Sequence, residues 1–205
     1  ASMFSGGVTL ASGADFSLIG SDATVVPANI TFPAVLGAVT LFNDAQLNDL
    51  GGLGAVSDVT DYVVIDVPQL SQLPTLLVLR NSLTLIDTMN DSASDQLPGF
   101  FLGLDVTTLT SMTFDNLRLT NFEFITGANI ANDVAITVAR NPVADFAGFA
   151  AVTQPRELVL EANTTSIVAL DLWNPTSVGA VTVVDNVGIT DVQVNDWLSR
   201  RTVSG

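Results

Sequence analysis

The chain has no cysteine, no histidine and no lysine. All six basic residues are arginines: Arg80, Arg118, Arg140, Arg156, Arg200 and Arg201. Without cysteine there is no disulfide and no thiolate metal site. Without histidine, cysteine and lysine, the Ser-His and Cys-His nucleophile pairs, the Schiff-base lysine and the phosphate loop that ends in lysine are all excluded. Glutamate is scarce, with only Glu123, Glu157 and Glu161. Glutamate favours helices, so few long helices are expected. No apolar run reaches the roughly 18 residues of a membrane-spanning helix. No charged leader precedes an apolar stretch, which fits a mature form or a fragment.

What is present is acidic and apolar at once. The 205 residues carry 21 Asp and Glu, a net charge of −15 and 48% hydrophobic residues. That length suits one domain or one continuous repeat array. The charge excludes nucleic acid, whose phosphates need Lys and Arg, and anionic membrane surfaces. The apolar content argues for an ordered core and for apolar surface hidden against other copies. The acids are mostly Asp, whose short side chain bonds backbone N–H groups in turns.

Val, Thr, Ile, Leu and Phe occur in short runs separated by Gly, Pro, Asn and Asp, the pattern of short strands. The runs repeat. Leu36-Gly37-Ala38-Val39-Thr40-Leu41 matches Val178-Gly179-Ala180-Val181-Thr182-Val183, with Asn43 after the first and Asn186 after the second. Similar starts occur at Val63/Ile65, Leu83/Leu85, Met112/Phe114, Ile136/Val138 and Leu158/Leu160, so seven starts recur about every 24 residues. Within units, apolar residues step by three: Leu47/Leu50/Leu53, Leu70/Leu73/Leu76, Leu119/Phe122/Ile125 and Val143/Phe146/Phe149. A step of three suits a 3₁₀-like or polyproline-like return leg, not a strand. Five residues after the strand start come Asp44, Asn141, Asn163 and Asn186. They are either solvated turn residues or an internal ladder that bonds successive turns.

The reading is mainly β: a parallel β-solenoid of about seven coils, with short strands and irregular return legs. Residues 25–205 form the single solenoid domain, and residues 1–24 an N-terminal cap or strand-exchange arm. Its expected core includes Leu41, Leu70, Leu73, Phe114, Phe122, Ile136, Val138, Phe146, Phe149, Leu160 and Val183. The stretch Phe32-Pro33-Ala34-Val35-Leu36-Gly37-Ala38-Val39-Thr40-Leu41-Phe42-Asn43-Asp44-Ala45-Gln46-Leu47 resembles a unit of the receptor L-domain, a relative of leucine-rich repeats. The pattern extends over about residues 32–197, without the Cys-rich caps of many eukaryotic members. The resemblance implies an extracellular, non-catalytic role.

Candidate sites are few. Asp87, Asn90, Asp91 and Asp95 form the densest oxygen cluster, and calcium is its candidate ligand; an apparent insertion near Asp91–Gly99 is the candidate functional loop. Asp185, Asn186, Asp191 and Asp196 form a second acidic cluster. Trp173, Trp197 and Tyr62 are the candidate ligand or interface aromatics, set against a plain role in core or cap. Arg200 and Arg201 read as a solvated tail. The leading function is a cell-surface structural or adhesive repeat protein that self-assembles head to tail, with other copies or a surface protein or glycan as partner. The alternatives are a glycan- or protein-recognition L-domain and a polysaccharide-active enzyme working through paired carboxylates.

Overall fold

The computed structural model describes residues 7–89, 93–165 and 167–203. The fold is mainly β. In chain order its strands are β1 Val8–Thr9, β2 Phe16–Ile19, β3 Ile30–Thr31, β4 Val35–Phe42, β5 Asp58–Ile65, β6 Val78–Ile86, β7 Ser111–Asp115, β8 Ala135–Ala139, β9 Glu157–Glu161, β10 Ser177–Val178, β11 Ala180–Val184 and β12 Thr202–Val203. Eight of them, β2, β4 to β9 and β11, form one parallel sheet in strict chain order. The short pairs β1–β3 and β10–β12 are also parallel.

The register aligns Phe16, Val39, Tyr62, Leu83, Met112, Ile136, Leu158 and Val181 across the sheet. All point inward, and all but Val181 are buried. In β5 this corrects the expected phase by one residue. Tyr62 and Val64 are buried, so Val63 and Ile65 face outward, because a one-residue slip swaps the faces of a strand. An extra residue in β6 between the partners of Val59 and Asp61 absorbs the irregular spacing. The sheet also holds one strand more than the seven expected, since β2 joins it beside β4.

Every strand of this sheet ends in a left-handed residue. They are Gly20, Asn43, Asp66, Asp87, Asn116, Arg140, Ala162 and Asp185, with φ between 47° and 56°. Only Gly, and to a lesser degree Asn and Asp, adopts this region readily. Asn43, Asp66, Asp87, Asn116 and Asp185 suit this corner. The Gly-Ala pairs have a second cause. A Cβ on Gly37 would collide with the Asp15 carboxylate, and one on Gly179 with the carbonyl of Arg156.

The next residue carries a ladder. The Asn141 side chain accepts from the amides of Leu117 and Leu119 at 3.0 and 3.1 Å. It donates to the carbonyls of Phe114 and Ala139 at 2.9 and 2.7 Å. Its own amide donates to Asn163 Oδ1 at 2.9 Å, and the Asn163 amide donates to Asn186 Oδ1 at 2.9 Å. Asn163 Nδ2 reaches the Val138 carbonyl and Asn186 Nδ2 the Leu160 carbonyl, each at 2.7 Å. These asparagines are thus an internal ladder and not solvated turns. At the other end, the amide of Ser21 donates to Asp44 Oδ1 at 2.7 Å. Asp44 is buried, and its Oδ2 has no hydrogen-bond partner among the described residues.

The return segments run behind the sheet. Short 3₁₀ turns at Gly51–Leu53, Glu123–Ile125 and Ala147–Ala151 explain the three-residue apolar step. An aromatic row packs there, with Phe122 4.7 Å from Phe149 and Phe149 5.3 Å from Trp173 between ring centres. Of the expected core, Leu73 and Val183 are only half-buried. Val183 lies on the last strand, where no further strand of the sheet covers it. Three helices were not expected: α1 Ala93–Phe101, α2 Ile167–Asp171 and α3 Asp191–Ser199.

Two changes test the corner and the ladder. Asn163→Ala removes a fully buried amide and leaves the Asn141 amide and the Val138 carbonyl without it. It should cost about 2–4 kcal/mol in urea unfolding, and a cost within error would contradict the ladder. Ala162→Gly relieves a left-handed alanine and should stabilise by about 1 kcal/mol. A destabilisation in the same assay would contradict the corner geometry.

Candidate functional site

Alternation in a strand sends one set of side chains inward and the other to the opposite face. On that outer face the register lines up Ser17, Thr40, Val63, Thr84, Thr113, Thr137, Val159 and Thr182, one per strand. All are half-buried or exposed. Two residues earlier runs a second column, Ala38, Asp61, Ser82, Ser111, Ala135, Glu157 and Ala180. The strands are about 4.8 Å apart, so the hydroxyls of Thr84, Thr113 and Thr137 stand at regular spacing on three adjacent strands, beside those of Ser82 and Ser111. The middle of this face, from Ser82 and Thr84 to Ala135 and Thr137, carries no charge in either column.

Charge collects at the two borders. Near the start of the strands, Arg80 Nε donates to Asp58 Oδ1 at 2.9 Å. Next to it, the amide and hydroxyl of Thr107 hold the Asp105 carboxyl below its ordinary value. At the corner end, Arg140 grips both oxygens of Asp115, at 2.7 and 2.8 Å, and reaches Asp87 at 3.1 Å. Bidentate guanidinium–carboxylate pairing fixes this geometry. In the same column as Asp115, on the strands that precede it, Ile19, Phe42, Ile65 and Ile86 form an apolar strip, with Ile19 and Phe42 exposed.

The expected sites fall elsewhere. Of the calcium candidates, Asp87 is a corner residue whose carboxylate takes hydrogen bonds from Asn116 and Arg140. Asn90, Asp91 and the side chain of Asp95 lie outside the described residues. In the second acidic cluster, Asp185 is a corner residue, Asn186 belongs to the ladder and Asp191 opens α3. Among the described residues no three carboxylates converge on one point. Tyr62, Trp173 and Trp197 are all fully buried and turn no ring to solvent. Trp173 Nε1 donates to the Val152 carbonyl at 2.9 Å. Trp197 closes the last unit beneath the Arg201 guanidinium, which lies 3.8 Å from its ring centre. Arg201 also donates to Asn174 and Arg200 to Asp171, so this pair is a docked clamp and not a solvated tail. No described helix is long and apolar enough to cross a membrane.

In the sequence, Thr40, Thr84, Thr113, Thr137 and Thr182 are each an ordinary strand residue. Only the register shows that these residues stack. In comparisons with known proteins, no family model matches the chain, and no curated protein or solved structure matches it.

Tyr62 yields a clean test of its own position. Its hydroxyl is buried without a partner among the described residues, and burial pushes the phenol well above its ordinary value. In the unfolded chain it ionises near pH 10. The folded state keeps the proton, so stability falls as pH rises past that value. This is the only tyrosine. Its phenolate absorbance should therefore appear together with loss of circular dichroism, and Tyr62→Phe should move alkaline unfolding to higher pH. A tyrosinate signal near pH 10 from folded protein would contradict the burial.

Proposed function

We propose that this chain is a non-enzymatic structural or adhesive repeat protein, extracellular or on a cell surface. In this reading it is a parallel β-solenoid of the receptor L-domain and leucine-rich-repeat type. The chain-order sheet supports the solenoid. So do the parallel bridges Val25–Asp49, Asn121–Asp145 and Thr164–Val187 between successive return segments, and the rung-to-rung ladder. Each unit then touches mainly its two neighbours.

The observation that carries the function is the outer face. In a chain of charge −15 the middle of this face is uncharged, and its Ser and Thr hydroxyls repeat at strand spacing. A broad, neutral, regularly spaced surface suits contact with an extended partner, a surface glycan or protein, more than a small ligand in a cleft. The Arg80–Asp58 and Arg140–Asp115 pairs frame it with neutralised charge.

The test is retention of the purified chain on insoluble cell-wall polysaccharide and on intact cells. Thr84→Arg combined with Thr113→Arg should lower retention at least about ten-fold. Val168→Arg, on an exposed helix behind the sheet, should leave it unchanged. Equal retention by both variants would remove the outer face from the account. Glycosidase and lyase assays should stay at background, and turnover abolished by one Asp→Asn change would overturn the non-enzymatic reading.

A further inference from the structure

At the border where the strands start, a cleft of about 500 Å³ spans three successive units. Five polar side chains line it: Asn132, Asp133, Gln154, Arg156 and Ser177. Ala180 lines it too and belongs to the second column of the outer face, so the cleft adjoins that face. The unit of β7 flanks it on one side and β12, paired with Ser177 and Val178, on the other, so it is not an open end of the core. Its volume falls in the range of about 300–1,000 Å³ of small-molecule sites.

The polar groups in it are held in place but not used up. Arg156 Nη2 donates to the Thr110 carbonyl at 3.0 Å, and the same carbonyl takes the Ala135 amide at 2.9 Å. The guanidinium is thereby tied across β8. Arg80, Arg140 and Arg200 each pair with an Asp, whereas among the described residues no carboxylate forms an ion pair with Arg156. In a chain with 21 acids and six arginines that is an exception. Asp133 lines the same cleft without meeting Arg156. Asn132 is fixed by the amide and hydroxyl of Thr153, which donate to its Oδ1 at 2.9 and 3.2 Å. Its NH2 group therefore remains for a ligand.

We propose that this cleft binds a neutral sugar unit of a glycan chain that lies on the outer face. The proposal deepens the adhesive reading and rests on it for the glycan. Donor and acceptor chemistry selects the ligand class. Arg156 only donates and ionised Asp133 only accepts, while Gln154 and Ser177 do both. An anion would satisfy Arg156 but meet Asp133 and a net charge of −15. A cation would satisfy Asp133 but meet Arg156. A hydroxyl both donates and accepts, so a polyhydroxyl ligand without charge satisfies every group at once. Adjacent hydroxyls of a sugar ring suit the planar fork of Arg156 and the two oxygens of Asp133. A neutral ligand also escapes the repulsion that the acidic chain imposes on any polyanion.

The test titrates the isotope-labelled full chain with soluble oligosaccharides and follows the backbone amide signals by NMR. The neutral probes are oligomers of glucose, mannose, xylose and N-acetylglucosamine, and the charged probes are oligogalacturonate and calcium chloride. At least one neutral probe should give saturable shifts at residues 132–133, 154–156 and 177–180. Arg156→Ala and Asp133→Ala should each weaken that binding at least about ten-fold, since each removes a hydrogen bond to a charged group. Arg156→Lys keeps the charge but loses the fork, and should weaken it as well. Val168→Arg should leave it unchanged. Saturable shifts from oligogalacturonate or calcium alone, or none at these amides from any neutral probe, would overturn the proposal, and the unmodified chain suffices for both outcomes. Retention on cell walls reads the threonine face. Retention lost in the Thr84/Thr113 variant with a silent cleft removes the cleft alone, and a binding cleft with unaltered retention removes the outer face alone.

Discussion

The fold depends on one backbone event repeated eight times, the left-handed residue at the end of each strand. It turns the chain out of the sheet at the same height in every unit. The following residue is thereby placed directly above its counterpart, where Asn141, Asn163 and Asn186 link amide to side chain from one strand to the next. Because the bonds run between successive units, register and stacking reinforce each other. A corner with a right-handed residue would displace both the ladder and the next strand.

Composition follows from this constraint. Corners and turns need short oxygen-bearing side chains, which is why Asp and Asn dominate and the charge reaches −15. Departures from the rule have visible consequences. Arg140 occupies a left-handed corner and uses its length to clamp Asp115 and Asp87, drawing two acidic residues around one cation. The inward positions are held by packing and the corners by backbone geometry. The outer face alone is left unconstrained by folding, and in the middle of its two columns, from Ser82 and Thr84 to Ala135 and Thr137, the residues are Thr, Ser and Ala. A neutral array on an acidic protein is therefore the best ground for the adhesive reading.

Much of this was legible in the sequence, and the failures have physical causes. The alternating strands, the three-residue step of the return legs and the recurring Asn each left a periodic trace. The phase of β5 did not, because Tyr62-Val63-Val64-Ile65 is apolar at every position and either face fits. The helix α3 carries a local signal at its start, where Thr190 and Gln193 form a capping box. The helix α1 hid behind Pro98, which lies inside it. Tyr62 and the two tryptophans are rare in the sequence, yet burial and not recognition explains them. The column of outer threonines was invisible for another reason. Any one of them is an ordinary strand residue, and only long-range register makes them a surface.

The central claim is that the strands stack in chain order at constant rise, and distances between spin labels on the outer face measure this directly. Labels replacing Thr40 and Thr182 stand six strands apart, and labels replacing Thr84 and Thr182 stand four apart. At about 4.8 Å per strand, backbone separations of roughly 29 and 19 Å are expected, growing with strand count. Equal distances for the two pairs, or a shorter one for Thr40 with Thr182, would mean that the chain does not stack in this order.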